Sequence, residues 1–209
     1  MNFFDHALEI IFPPKCGICG KIGEGYICNN CYNMFIINKI YKNYNSERFH
    51  MLKYEGIIRD KLIEYKFNDK PYLYRMFYEI LIKDKNACDF FKGYDIIIPV
   101  PIHKKRKTLR GYNQSELIAK KLSDKFKMPM YIDVLKKQIN TIPQSSLGKK
   151  ARKNNAQNVY KVDNMQKIKN KNVVILDDIY TTGATANECI KVLKDAGAYR
   201  VGIVTIAKD

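Results

Sequence analysis

Two adjacent acids, Asp177 and Asp178, follow a fully apolar run at positions 173–176. The next residues are small or carry hydroxyl groups, and a stretch with helical periodicity follows them. We expect a buried strand to deliver both carboxylates to its carboxyl-terminal edge, where the N–H groups and dipole of the helix suit a phosphate. Carboxylates beside such a cradle suit ribose hydroxyls or a hydrated Mg²⁺. A helix cap alone would explain the loop, but it would not need two acids behind it.

Four of the six cysteines lie close together as two CxxC pairs separated by a short loop. They are Cys16, Cys19, Cys28 and Cys31. Each pair can clamp one side of a tetrahedral ion, so the spacing predicts a zinc site. Four protein thiolates leave no position for water, and the site is therefore expected to be structural. Two disulfides would need an exported protein, and four unrelated thiols would not need the paired spacing.

A third group of candidate residues lies in a basic segment after a predicted strand at positions 95–101. Between positions 102 and 153 the sequence has fifteen lysines or arginines and three acids. We expect a basic loop at 102–114, in which Lys104, Arg106 and Arg110 could contact a pyrophosphate or a nucleic-acid backbone. A solvated run of charge is the alternative interpretation.

The elements that must position these residues alternate between strands and helices. From position 94 onward the pattern predicts strands at 95–101, 173–176 and 201–207, with helices at 115–126 and 186–196. Such alternation indicates an α/β domain with a parallel sheet. Upstream, a strand at 49–54 and helices at 57–65 and 72–85 show no obvious chemistry.

Composition limits the class of protein. The chain has 209 residues, 46% of them apolar, and a formal net charge of +16, which favours phosphorylated or polyanionic partners. Lys, Asp or Asn interrupts every apolar run before roughly 18 residues, so no membrane-spanning helix is expected. The beginning of the chain places Asp5 where a signal peptide needs a cationic start. We therefore expect a cytoplasmic protein.

The acid pair and its loop resemble the phosphoribosyl pyrophosphate (PRPP) loop of the type I phosphoribosyltransferases. That resemblance implies that Asp177 and Asp178 hold the ribose 2′ and 3′ hydroxyls and that amides and hydroxyls of the loop hold the 5′-phosphate. The loop residues so implied are Tyr180, Thr181, Thr182, Gly183, Ala184 and Thr185. It also implies a Rossmann-like fold, with a mainly parallel sheet flanked by helices.

Several further motifs resemble the ComF competence family. They are Pro99-Val100-Pro101, the RGYNQ stretch at 110–114, the segment 144–155 with Arg152, the cysteine quartet, Tyr54-Glu55-Gly56 and Lys66-Phe67. Tyr112 stands where that family usually has Phe, and it keeps the aromatic ring. The pattern of elements along the chain divides it into a cysteine-rich element at 1–35, a connecting region at 36–92 and an α/β domain at 93–209. The resemblance implies that the first part binds zinc and that the last has a phosphoribosyltransferase-like fold. It also implies a role in natural transformation, in which imported single-stranded DNA is handled in the cytoplasm.

The sequence leaves three functions open. As an enzyme, the protein would bind PRPP with Mg²⁺, and Asp177, Asp178 and Arg152 would serve the transfer to an unknown acceptor. As a binding protein, it would hold single-stranded DNA or a nucleotide without turnover, with Tyr112, Phe126 or Tyr131 stacking on bases. As a scaffold, it would dock to competence proteins such as a DNA-translocating helicase.

Overall fold

The computed structural model describes residues 13–36, 47–139 and 159–209. Its central sheet has four parallel strands. In spatial order these are β1 (Arg48–Lys53), β6 (Arg200–Lys208), β5 (Asn172–Tyr180) and β2 (Ile96–Pro99). A separate antiparallel ribbon pairs β3 (Leu135–Lys137) with β4 (Tyr160–Val162). The parallel sheet confirms the predicted α/β class.

Seven α-helices accompany the strands in the described part of the chain. They are α1 (Asn29–Ile36), α2 (Gly56–Phe67), α3 (Tyr74–Ile82), α4 (Lys85–Phe91), α5 (Lys104–Arg110), α6 (Gln114–Phe126) and α7 (Ala184–Asp195). Short 3₁₀ helices lie at Pro71–Leu73 and Met165–Lys167. Among the described residues no helix is long and apolar enough to cross a membrane.

The sheet is buried on both faces, which explains the unbroken apolar run before the acids. Along β5, Val174 and Leu176 belong to one apolar core, and Val173 and Ile175 belong to another. Successive side chains of a strand point to opposite faces, so a strand covered on both sides needs apolar residues at every position. The sheet thereby holds β5 firmly from both sides as it approaches the acids.

The upstream segments join this sheet and its core. Strand β1, from the predicted connecting region, pairs along β6 from Arg48 opposite Ile203 to Lys53 opposite Lys208. The core on one face also contains Cys16 and Ile27 of the cysteine-rich segment, together with Met76 of α3. The three predicted regions therefore share apolar packing in the folded chain.

Two predicted elements differ from the structure. The basic segment is not a loop, because residues 104–110 form α5, in which Lys, Arg and Leu have high helix propensity. His103 Nδ1 accepts a hydrogen bond from the Lys105 N–H at 3.3 Å, and Gly111 ends the helix with φ +80°. The single helix predicted at 72–85 is also wrong. Asp84 accepts a hydrogen bond from the Ala87 N–H and starts α4 after α3 has ended.

Candidate functional site

Asp177 and Asp178 lie within the carboxyl-terminal half of β5, which continues to Tyr180 because its pairing with β6 continues to that point. Asp178 is 8% exposed, and its own N–H donates to Asp177 Oδ1 at 2.9 Å. Ser115 Oγ of α6 lies 3.5 Å from the same Asp177 oxygen. The two carboxylates therefore sit beside the first turn of α6, at the end of the sheet where the sequence predicted them.

A shallow pocket, open to solvent, lies beside the acids. Its lining includes Asp177 and the start of α7 with the preceding loop, and β6 closes one side. The predicted ligand-binding residues on its wall are Asp177, Tyr180, Thr181, Gly183, Ala184 and Thr185. Asp178 and Thr182 do not line it. Thr182 Oγ1 instead accepts a hydrogen bond from the Ala184 N–H at 3.4 Å, within the first turn of α7.

Strand β1 supports the loop through Tyr180. Arg48 donates one hydrogen bond to the Tyr180 hydroxyl at 2.9 Å and another to Asn187 Oδ1 at 3.1 Å. The His50 ring packs against the Tyr180 ring, with 4.4 Å between the ring centroids. Gly183 has φ +76°, and a Cβ at that position would overlap the Tyr180 hydroxyl. The tyrosine thus fills the space under the loop, and a glycine is required where the loop turns into α7.

His50 is buried and pairs with β6 through its Nδ1, which lies 2.8 Å from Thr205 Oγ1. Burial, followed by the charges of Lys208 and Arg48, lowers the pKa of His50 to about 4. The ring is therefore neutral near pH 7, and it supports the loop through packing and one hydrogen bond. Neither His50 nor Arg48 was predicted as a site residue.

Cations surround the acid pair. Lys66 Nζ of α2 lies 2.9 Å from Asp178 Oδ2, and neither side chain is more than about a quarter exposed. Burial lowers the pKa of Arg110 and the charge of Asp178 raises it, so the guanidinium lies within electrostatic reach of that acid. Burial and then the charge of Asp178 raise the pKa of Asp177 to about 7, while Lys66 acts in the opposite direction.

The predicted basic residues differ in how far they are exposed to solvent. Arg110 and Arg106 are partly buried. Burial lowers the pKa of Lys137 in β3, the charge of Arg106 lowers it further, and the charge of Asp177 raises it. Lys104 is exposed on α5. Arg152 and the segment 144–155 lie outside the described residues. Lys66 was noted only as part of the Lys66-Phe67 motif, without a role at the acid pair. Lys137 and Ser115 were not predicted as site residues, because they come from separate elements and no local motif marks them.

The aromatic residues proposed to stack on bases mostly pack inside the protein. Tyr112 stacks on Tyr65 at 5.8 Å between centroids and donates its hydroxyl proton to the Tyr65 carbonyl. Phe126 stacks on Phe91 at 5.1 Å. The exposed aromatic ring near the acids is instead Phe67, which is 58% exposed and has the Arg110 guanidinium 5.2 Å above its centroid.

The cysteine quartet forms a second candidate site, in which all four sulfur atoms lie within 4.8 Å of one another. The Cys19 and Cys28 sulfurs are 3.6 Å apart. A tetrahedral ion with metal–sulfur distances of about 2.3 Å separates its ligands by about 3.8 Å, so the donor set fits zinc. Burial raises the pKa of Cys16, but hydrogen bonds from the backbone of Cys28 and Cys19 outweigh it and lower that pKa to about 6.

The cysteine-rich segment is fastened to α3 by one carboxylate. Glu79 accepts hydrogen bonds from the N–H groups of Tyr26 and Ile27, at 2.6 and 3.2 Å. Lys83 pairs with Glu79 at 2.9 Å and donates to the Ile27 carbonyl at 3.2 Å. The loop between the two cysteine pairs is therefore held against the folded core by charge-assisted hydrogen bonds.

Comparison with known proteins gives a consistent set of relatives. Residues 113–209 match the phosphoribosyl transferase domain family. Competence protein F of Haemophilus influenzae is 27% identical, over 93% of this chain and 85% of that protein. Competence protein ComFC of Bacillus subtilis is 24% identical, over 87% and 72%. DNA utilization protein YhgH of Escherichia coli is 30% identical, over 52% of this chain and 47% of its own length.

Proposed function

The chain belongs to the ComF family and has a phosphoribosyltransferase fold, and from this premise we propose that it binds PRPP with Mg²⁺ and acts in DNA uptake. In this role it handles incoming single-stranded DNA in the cytoplasm. The names of its relatives, which are competence and DNA utilization proteins, support the biological part of the proposal. The observation that carries the biochemical part is the pocket shared by Asp177 and the start of α7.

Each part of PRPP has a complementary group in the described structure. The 5′-phosphate would accept hydrogen bonds from N–H groups in the first turn of α7, whose dipole also favours an anion. Asp177 and Asp178 would accept hydrogen bonds from the ribose hydroxyls. The pyrophosphate would lie towards α5, where Arg110 is within electrostatic reach of Asp178, Arg106 is partly buried and Lys104 is more exposed. A Mg²⁺ ion bound together with PRPP would neutralise part of the pyrophosphate charge.

If the bound PRPP reacts, the reaction is a phosphoribosyl transfer. A nucleophilic atom of the acceptor forms a bond to C1′ while the bond from C1′ to the pyrophosphate oxygen breaks, and pyrophosphate leaves with that electron pair. The acid pair fixes the ribose during this step, and Arg152 stabilises the charge that develops on pyrophosphate.

Calorimetric titration of PRPP with Mg²⁺ tests the binding proposal. We expect micromolar binding to the wild-type protein and none to the double variant Asp177→Asn with Asp178→Asn. The matched control, Asp89→Asn with Asp133→Asn, removes two carboxylates that pair with exposed lysines away from the pocket. It should bind like the wild type. Equal affinity in the double variant of the acid pair would refute the site assignment.

A second candidate function is single-stranded DNA binding without turnover, and it is favoured by the exposed cations of α5. Lys104 and Lys105 both face solvent on this helix. Binding through phosphates should weaken steeply with added salt. In a plot of the logarithm of the binding constant against the logarithm of the salt concentration, the slope should be about 0.7 per phosphate neutralised on a single strand. The variant Lys104→Gln with Lys105→Gln should therefore lower that slope by about 1.4. An unchanged slope would place the DNA elsewhere.

We propose that the cysteine quartet binds one structural Zn²⁺ ion. Cys16, Cys19, Cys28 and Cys31 would supply all four ligands, so the ion would hold the two CxxC turns together without exchanging a ligand for water. Metal analysis of protein purified without chelator should give one zinc per chain. A metal-free protein of native stability would refute the assignment.

A further inference from the structure

Lys66 reaches the acid pair from α2, outside the segment 113–209 that matches the phosphoribosyl transferase domain. We propose that Lys66 is a positioning residue of the ribose site, which holds the Asp178 carboxylate so that the acid pair can accept hydrogen bonds from both ribose hydroxyls. This inference rests on the proposed binding of PRPP. It adds to that site a residue from the region upstream of the matched domain.

The ion pair has the geometry and burial of a fixed contact. Lys66 Nζ lies 2.9 Å from Asp178 Oδ2, and the two side chains are 21% and 11% exposed. Several other ion pairs of the described residues are far more exposed, such as Lys92 with Asp89 at 69% and 50%. Lys61 with Glu64 is comparably buried, at 17% and 24%, and it therefore serves below as the control. An exposed pair is screened by water and contributes little, whereas a partly desolvated pair restricts both side chains.

The acid pair needs a cation at this position. Asp177 and Asp178 are adjacent in the chain, and the Asp178 N–H donates to Asp177 Oδ1. The charge of Asp178 also raises the pKa of Asp177, so the two carboxylates interact. Like charges in a little-exposed site oppose each other's ionisation. A neutral carboxyl group would lose part of its capacity to accept hydrogen bonds from ribose. The Lys66 ammonium group offsets this repulsion and also fixes the orientation of one carboxylate.

The backbone that presents Lys66 is itself fixed to the site. Tyr65, the preceding residue, is fully buried and donates its hydroxyl proton to the Gln114 carbonyl at 2.8 Å. Gln114 begins α6, whose next residue, Ser115, lies 3.5 Å from Asp177. The same contact therefore sets the position of Lys66 and the first turn of α6 relative to the acids. This linkage distinguishes Lys66 from the exposed cations of α5.

A positioning role and direct contact with pyrophosphate predict different ligand dependence. A residue that acts through Asp178 affects every ligand with the ribose ring, whether or not pyrophosphate is present. A residue that contacts pyrophosphate affects PRPP and leaves ribose 5-phosphate unchanged. The two ligands therefore separate the two roles in a single series of titrations.

The test measures the affinity of PRPP with Mg²⁺ and of ribose 5-phosphate for wild type, Lys66→Met and Lys66→Arg. We expect Lys66→Met to weaken both ligands by a similar factor of about ten, as for loss of a charge-assisted hydrogen bond, and Lys66→Arg to restore most of the affinity. The control is Lys61→Met, because Lys61 pairs on the same helix with Glu64 at 3.1 Å and is 17% exposed. It should not change either affinity.

Each other outcome overturns the inference. Wild-type affinity in Lys66→Met would show that Asp178 needs no partner, and a loss confined to PRPP would assign Lys66 to the pyrophosphate. If the wild type binds neither ligand, the proposed function fails together with the inference. A ligand-independent check is a double-mutant cycle in thermal unfolding with Lys66→Met and Asp178→Asn. Additive shifts of Tm would show that the ion pair is not formed in solution.

Discussion

The cysteine quartet and the acid-pair pocket represent two ways of building a site in one chain. The quartet takes its four sulfurs from a single short segment, and three of the four cysteines are buried. The pocket instead depends on residues from Arg48 in β1 to Thr205 in β6, and it remains open. A local site can be closed by its own turns, whereas the pocket depends on the whole sheet to align its parts.

The two regions also balance charge differently. In the quartet, four thiolates can share one dication, and the loop between them is fastened by Glu79. At the acid pair, two carboxylates are balanced by side chains from distant elements, with Lys66 on one acid and Lys137 near the other. The quartet therefore suits a permanent ion, and the pocket suits a ligand that arrives and leaves.

Removing one cysteine of the quartet is expected to have the largest effect on stability. We predict that Cys28→Ser lowers the zinc content from one to none and lowers Tm by about 10 °C or more, because Cys28 lies in the main apolar core and loss of a bound metal is among the costliest changes. Metal analysis and thermal unfolding measure both quantities. The control is Cys88→Ser, whose thiol lies outside the quartet. If Cys28→Ser retains its zinc, the predicted ligand set is wrong.

The next largest effect concerns how the quartet is fastened to the rest of the fold. We expect Glu79→Ala to lower the free energy of unfolding by about 3 kcal/mol, because two backbone N–H groups lose a charged acceptor. Denaturant unfolding measures this change. The control is Glu55→Ala, in which a 60% exposed carboxylate loses a 3.9 Å contact with Lys53, and little change is expected. Equal effects of the two variants would show that Glu79 does not fasten the loop.

The part of the fold that could be predicted from the sequence is the part encoded over short distances. The apolar run at 173–176 predicted a buried strand because both faces of the sheet are covered, and the CxxC spacing predicted the sulfur cluster. Helix α5 was predicted as a loop because six of its seven residues are charged or polar, and a single leucine, Leu109, forms no apolar stripe with an amphipathic period. Its helix forms through residue propensity and its two caps.

The supporting residues of the pocket could not be predicted for a different reason. Lys66 and Asp178 are far apart in sequence, and only the docking of α2 on α6 brings them together. His50 lies on β1, whose place beside β6 is fixed by sheet order. His50 has no local pattern that differs from an ordinary strand. The Lys66-Phe67 motif marks Lys66, but it does not indicate a contact with Asp178. Long-range contacts of this kind require the three-dimensional structure.

The pocket region should show a pH dependence that the quartet does not explain. The pKa of His50 is about 4 in the folded protein and 6.5 in its ordinary state, so the unfolded chain binds more protons between these values. The His50 contribution to stability is therefore fully present above pH 6.5 and decreases as the pH falls to 4. At pH 5 the loss should be about 2 kcal/mol.

Comparison with His50→Gln measures this contribution, because Gln keeps a group that can bond to Thr205 and does not titrate. Between pH 7 and pH 5 the wild type should lose about 2 kcal/mol more than the variant in denaturant unfolding. Asp177, with its raised pKa, contributes in the opposite direction, since stability from a protonated native carboxyl group decreases as pH rises through about 7. That contribution is present in both proteins and cancels in the difference. Identical pH profiles would mean that His50 is not buried as a neutral ring.

The smallest expected change in stability compares one glycine from each region. Gly183 of the pocket and Gly23 of the cysteine-rich segment both have positive φ, at +76° and +92°. A Cβ at Gly23 meets nothing within 4 Å, whereas a Cβ at Gly183 overlaps the Tyr180 hydroxyl. Alanine at either position should cost about 1 kcal/mol from backbone strain. Only Gly183→Ala must also displace the ring that supports the loop.

Gly183→Ala should therefore unfold at a lower midpoint than Gly23→Ala, and the two variants should also differ in ligand binding. We predict that Gly183→Ala weakens PRPP binding about tenfold or more, because moving Tyr180 disturbs the N–H groups at the start of α7, while its zinc content is unchanged. Gly23→Ala should bind PRPP like the wild type. Calorimetric titration of both variants provides the measurement. If Gly183→Ala binds PRPP normally, the start of α7 is not the phosphate cradle, and the difference between a self-contained metal site and a sheet-dependent ligand site would no longer hold.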